Sequence, residues 1–141
     1  MNMKKFVLGG IAGGVAYFLL GWLVWGKLLM SYMMNHSNPT ASVIFRGETE
    51  MVWWAMIVGN MALGFVVSYI LMKANISSTG AAAMLGAVIG LLFTSGVDCI
   101  MYAQMKIWGL PAVAVDIIAS CVVAAIVSSV VATVQGMGSK S

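Results

Sequence analysis

Four stretches, at about 4–33, 49–72, 79–106 and 111–134, are apolar over a length that can cross a bilayer. A helix needs ~20 mostly apolar residues to span the hydrocarbon. The 141 residues leave room for four such helices and almost nothing else. The expected fold is therefore an all-α integral membrane protein, a four-transmembrane-helix bundle running up-down-up-down. One longer loop at 34–48 joins helices 1 and 2, and 1–141 forms a single membrane domain. Composition agrees, since 8% of the residues are charged against roughly 25% in soluble domains. Any function must sit in the helices or in that loop.

The net charge of +3 comes from single Lys and Arg residues and the pair Lys4-Lys5, with no basic stripe to follow a phosphate backbone, so nucleic acid is not an expected partner. Cys99 and Cys121 have no Cys-x-x-Cys spacing and read as small buried apolar residues. His36 is the only histidine and reads as a solvated interfacial residue, so neither a metal nor a cofactor is expected. The basic start at Met1–Lys5 resembles a signal peptide, but the apolar run continues far beyond an h-region, so helix 1 reads as a retained span.

Small residues recur where helix backbones can approach. Gly9/Gly13 and Gly10/Gly14 are two overlapping Gly-x-x-x-Gly pairs in helix 1, and Gly64 follows Asn60 by four in helix 2. Helix 3 repeats the device with Ala82, Gly86, Gly90 and Thr94, and helix 4 with Ser120, Ala124, Ser128 and Ala132. Asn60 is expected to bond across a close helix contact. The short polar turn 73–79 implies that helices 2 and 3 form an antiparallel hairpin. Trp22, Trp25, Lys27 and Tyr32 read as a headgroup anchor at the end of helix 1, and Val43, Ile44 and Phe45 as a membrane-surface segment. Gly136, Gly138 and Ser139 end the last span in a short tail.

Asp98 is the residue that asks for an explanation. A charge at the centre of an inserted helix costs about 2.5–3.5 kcal/mol on insertion scales, so such a residue faces the bundle interior, water or a cation. Counting at 1.5 Å per residue, Asp98 lies ~28 Å along helix 3 and Asp116 only ~8 Å into helix 4, which puts both at the same end of the bundle. Lys27, Glu50 and Tyr102 belong to that end as well. A shift of 71 residues superposes 27–30 on 98–101, placing Lys27 at the depth of Asp98 with opposite charge. Lys27, Glu50, Asp98, Tyr102 and Asp116 are thus read either as interfacial residues that fix the depth of their helices or as the lining of a polar pocket, in which Lys27 and Asp98 would form an ion pair.

The motif WxxWGKLLM over 22–30, after its glycine run, and YAQMKIWGLPAVAVDIIAS over 102–120 resemble a family of small uncharacterised bacterial inner-membrane proteins with four helices. The resemblance implies a bacterial inner-membrane protein and marks Trp25, Lys27 and Asp116 as family-like positions; it carries no activity. Lys4, Lys5, Lys73 and Lys140 against Lys27, Arg46 and Lys106 put both termini in the cytoplasm. The leading expectation is a non-enzymatic structural or accessory subunit, packing as a homo-oligomer or with partner membrane subunits in the lipid bilayer. The alternative is a small transporter, channel or sensor that takes an unknown small-molecule ligand in the polar pocket. No nucleophile and base stand at a recognisable spacing, so an enzyme is not expected.

Overall fold

The computed structural model describes residues 1–137; it is 83% helical and without strands among the described residues. Of the residues read above as the tail, Gly136 still lies in the last helix, while Gly138 and Ser139, with Lys140 of the charge count, lie outside the described residues. In chain order the helices are α1 (Met3–Leu23), α2 (Met30–Asn35), α3 (Ala41–Ile44), α4 (Trp53–Lys73), α5 (Thr79–Gln104) and α6 (Leu110–Met137). Four helices are long and apolar enough to cross a membrane: α1 with its continuation to Leu28, α4, α5 and α6. Side chains start two of them. Asn2 accepts from the Lys5 N–H and Ser78 from the Ala81 N–H, each at 3.2 Å, which satisfies donors that have no partner within the first turn.

Helix 1 does not run unbroken to Met33. Its last turn, Val24–Leu28, is a π-turn closed by a bond of 2.7 Å from the Leu29 N–H to the Val24 carbonyl, and α2 starts afresh at Met30. The extra residue in that turn rotates everything beyond Leu23 relative to a regular helix. Such turns are rare and recur at functional sites. Helix 2 also starts later than the sequence implies: 49 falls in a single 3-10 turn, Glu48–Glu50, and regular helix begins at Trp53.

Packing centres on α1 and α6. α1 lies against both α4 and α6, and α5 packs on α6. The glycines set how closely. Gly9, Gly10, Gly13 and Gly14 are all buried, and a Cβ added at Gly13 would stand 3.0 Å from the Gly64 Cα. At Gly64 a Cβ would collide with the Gly14 nitrogen and the Gly10 carbonyl oxygen, so α1 and α4 touch backbone to backbone there. Gly86 and Gly90 do the same for α5 against Ser128, Ala124 and Ser120 of α6.

The core of Leu71, Ala82, Val123, Val127, Val131 and Ala132 packs against Ala16, Tyr17, Leu20, Val24 and Trp25 and reaches toward the end of the bundle that holds the start of α1. A polar tie closes that end. Gln135 Nε2 donates to Ser68 Oγ at 2.9 Å and to the Ser68 carbonyl at 3.2 Å, while Ser68 Oγ donates to the Phe6 carbonyl at 2.8 Å. Three helices are thereby joined by two buried side chains.

α4 and α5 do not pack along one another, although only 74–78 separate them. A cleft separates the two helices of that expected hairpin, because the small-residue faces of both are spent on other partners: Gly64 on α1, and Gly86 and Gly90 on α6. Asn60 accordingly does not bridge two helices; its amide donates to the Met56 carbonyl of its own helix at 2.7 Å. Cys99, expected to be buried, is exposed, and Cys121 is half-buried.

Candidate functional site

Toward the other end the helices leave a pocket of about 500 Å³, a volume typical of small-molecule sites. Its only titratable lining residues, among those described, are Asp98 from α5 and Asp116 from α6. The two carboxyl groups are each other's charged neighbours in this wall. Trp25, carried on the π-turn, closes the arrangement: its indole N–H donates to Asp116 Oδ1 at 2.5 Å. All three side chains are half-buried.

The remainder of the wall is apolar and soft. Met30, Met33 and Met34 come from α2, Met51 from the link just before α4, Met56 from the first turn of α4, and Phe45 and Trp108 from the two connections. Flexible thioethers fit irregular ligands, and aromatic faces attract cations. An acid pair set in such a wall has few neighbours to neutralise it, so the pocket favours a positively charged occupant.

The long loop roofs this pocket. The Asn38 N–H donates to the Ile107 carbonyl at 2.8 Å, the Gly109 N–H to the His36 carbonyl at 2.7 Å, and Thr40 Oγ1 to the Lys106 carbonyl at 2.9 Å. Phe45 packs on Trp108 with ring centroids 5.1 Å apart. His36 stacks on Tyr32 at 4.1 Å and its Nδ1 lies 2.9 Å from the Tyr32 carbonyl oxygen. Val43, at 87% exposed, is the only one of the three expected surface residues that projects almost freely.

Of the residues singled out from the sequence, the structure brings Asp98 and Asp116 together and leaves Lys27, Glu50 and Tyr102 outside. The Lys27 ammonium lies over the Trp22 ring, 5.4 Å from its centroid, and the charged neighbour of Asp98 is Asp116. The π-turn explains the difference, because a 71-residue shift matches depths but assumes a regular helix through 24–28. Glu50 is exposed in its 3-10 turn, and Tyr102 is exposed one turn beyond Asp98. Comparison with protein-family models, curated proteins and solved structures finds no match. The site is therefore read from its own geometry.

Sequence reasoning missed Trp25 as a site residue by reading it as a headgroup anchor. It also missed the methionines and the roof. The clustering of Met30, Met33, Met34 and Met51 around the loop was the available signal. Among the described residues no three His, Cys, Asp or Glu side chains gather to hold a metal ion. At the opposite end an open pocket of about 540 Å³ is bordered by Lys5, Lys73 and Asn75, so the two pockets differ in the sign of the charge on their walls.

Proposed function

We propose that this is a ligand-binding membrane protein, a small transporter or sensor, that takes a monovalent organic cation between Asp98 and Asp116. The observation that carries the reading is the carboxyl pair held by Trp25 in a pocket whose other walls are apolar and aromatic. A membrane-embedded acid faces a partner of some kind, and here the neighbour is a second acid. An ammonium group entering between the two supplies the missing positive charge and meets the aromatic faces of Trp25 and Trp108. A purely structural subunit would leave this arrangement without a task.

The helices cross the membrane alternately in this reading, with both termini on the cytoplasmic side of a bacterial inner membrane and the acid pair near the outer face. Support comes from bonds between helix ends. Phe6 meets Ser68, and the Ser129 hydroxyl donates to the Thr79 carbonyl at 3.2 Å, so the start of each odd span lies beside the end of an even one. Lys4, Lys5 and Lys73 flank the cytoplasmic side.

The test is a titration of the purified protein with tetramethylammonium, followed by the fluorescence of the tryptophans that line the pocket. A saturable change that disappears in the Asp98→Asn/Asp116→Asn double variant is expected. A titration with no saturable change, or one that the double variant leaves untouched, overturns the reading.

A further inference from the structure

The acid pocket is not the only cavity on that side of the core. A second, of about 430 Å³, fills the cleft between α4 and α5, with α1 and α6 as its floor. The two cavities stack. Trp25 lines both, and on each of the other three helices the lining passes from one to the other within a single turn: Met56 to Asn60, Asp98 to Thr94 and Asp116 to Ser120. The lower cavity has no charged lining residue among those described. Asn60, its one amide, is already bonded to Met56, so it makes no demand on an occupant. Because α4 and α5 stand apart, the cleft lies open on the side where those two helices meet lipid.

We propose that the ligand is a single-chain cationic amphiphile, its ammonium head between Asp98 and Asp116 and its alkyl tail in the α4–α5 cleft. The inference rests on the cation reading above and adds the tail. Charge complementarity selects the head, because an anionic amphiphile would bring its charge against the only two acids in the pocket, while the uncharged cleft selects the tail. Nine residues of α5 separate Asp98 from Ile89 at the far part of the cleft, or roughly 14 Å at 1.5 Å per residue, the reach of a medium-length alkyl chain. Entry runs sideways from the bilayer, so the ligand never has to leave hydrocarbon with its tail exposed. Trp25, tethered through its N–H to Asp116, forms the partition between head and tail.

The experiment compares dodecyltrimethylammonium with tetramethylammonium on the full chain in phosphatidylcholine nanodiscs, with amphiphile concentrations corrected for uptake by protein-free discs. Dodecyltrimethylammonium should bind about tenfold tighter or better, since each buried methylene adds to affinity. Leu63→Phe and Val66→Phe add bulk at half-exposed positions of the cleft wall and should remove that gain while leaving tetramethylammonium binding intact. Asp98→Asn/Asp116→Asn should abolish both. Equal affinity for the two cations, a chain-length gain that both cleft variants retain, or equally tight binding of dodecyl sulfate overturns the amphiphile proposal. If tetramethylammonium itself does not bind, the cation reading fails as well, and that outcome differs from a missing tail effect.

Discussion

Trp25 and Asp116 are 91 positions apart in the chain and are joined by a hydrogen bond from the indole N–H to the carboxylate, between a π-turn on one helix and the second turn of another. That bond fixes one of the two acids, and the other stands beside it as its charged neighbour. It links the α1 exit to the α6 start, where the loop roof is also tied down, so local geometry and pocket shape depend on one another.

Trp25→Phe keeps an aromatic body in the pocket but deletes the donor. Hydrogen bonds to charged groups are worth about 1.5–3 kcal/mol, and the loss should appear at the lower end of that range because the site is half-buried. Thermal unfolding in detergent checks it. Adding Asp116→Asn should make the effect of Trp25→Phe smaller than it is beside the native Asp116; an undiminished effect would mean that the bond is not what Trp25 contributes.

Gly64→Ala and Gly59→Ala, five residues apart on α4, should differ in sign. A Cβ at Gly64 meets the backbone of Gly10 and Gly14, and overpacking of this kind costs about 1–3 kcal/mol. A Cβ at Gly59 meets nothing within 4 Å, so the substitution gains the helix preference of alanine, roughly 0.5–1 kcal/mol. Melting temperatures of the two variants decide it: Gly64→Ala falls and Gly59→Ala rises.

Ser68→Ala should cost more alone than in company with Gln135→Leu. Removing the hydroxyl strips the Gln135 amide of one partner and the Phe6 carbonyl of another, and interhelical bonds in membranes average ~0.6 kcal/mol each with a maximum near ~1.7. Once Gln135 is apolar, only the Phe6 carbonyl is left wanting. A double-mutant cycle on thermal stability should show coupling; strict additivity would mean that the two side chains act separately.

The four spans were readable from the chain because crossing a bilayer is a property of one segment at a time: length and the scarcity of charge suffice, and the long helices 3–28, 53–73, 79–104 and 110–137 follow the apolar stretches closely. The common depth of Asp98 and Asp116 was equally readable, since rise per residue turns a count into a height. Rotation was not. These helices are apolar on every side, so their small-residue stripes told which faces pack closely but not against which helix. Tertiary packing therefore decided that α4 and α5 stand apart, that Asn60 turns to its own helix, and that Lys27 lies over Trp22 while Asp98 meets Asp116. The π-turn at Val24–Leu28 set the angle at which Trp25 enters, and a one-residue change in winding leaves no mark in hydrophobicity. The chain alone settled how deep each group sits; only the packed backbones, with glycine deciding where they touch, settled what each group faces.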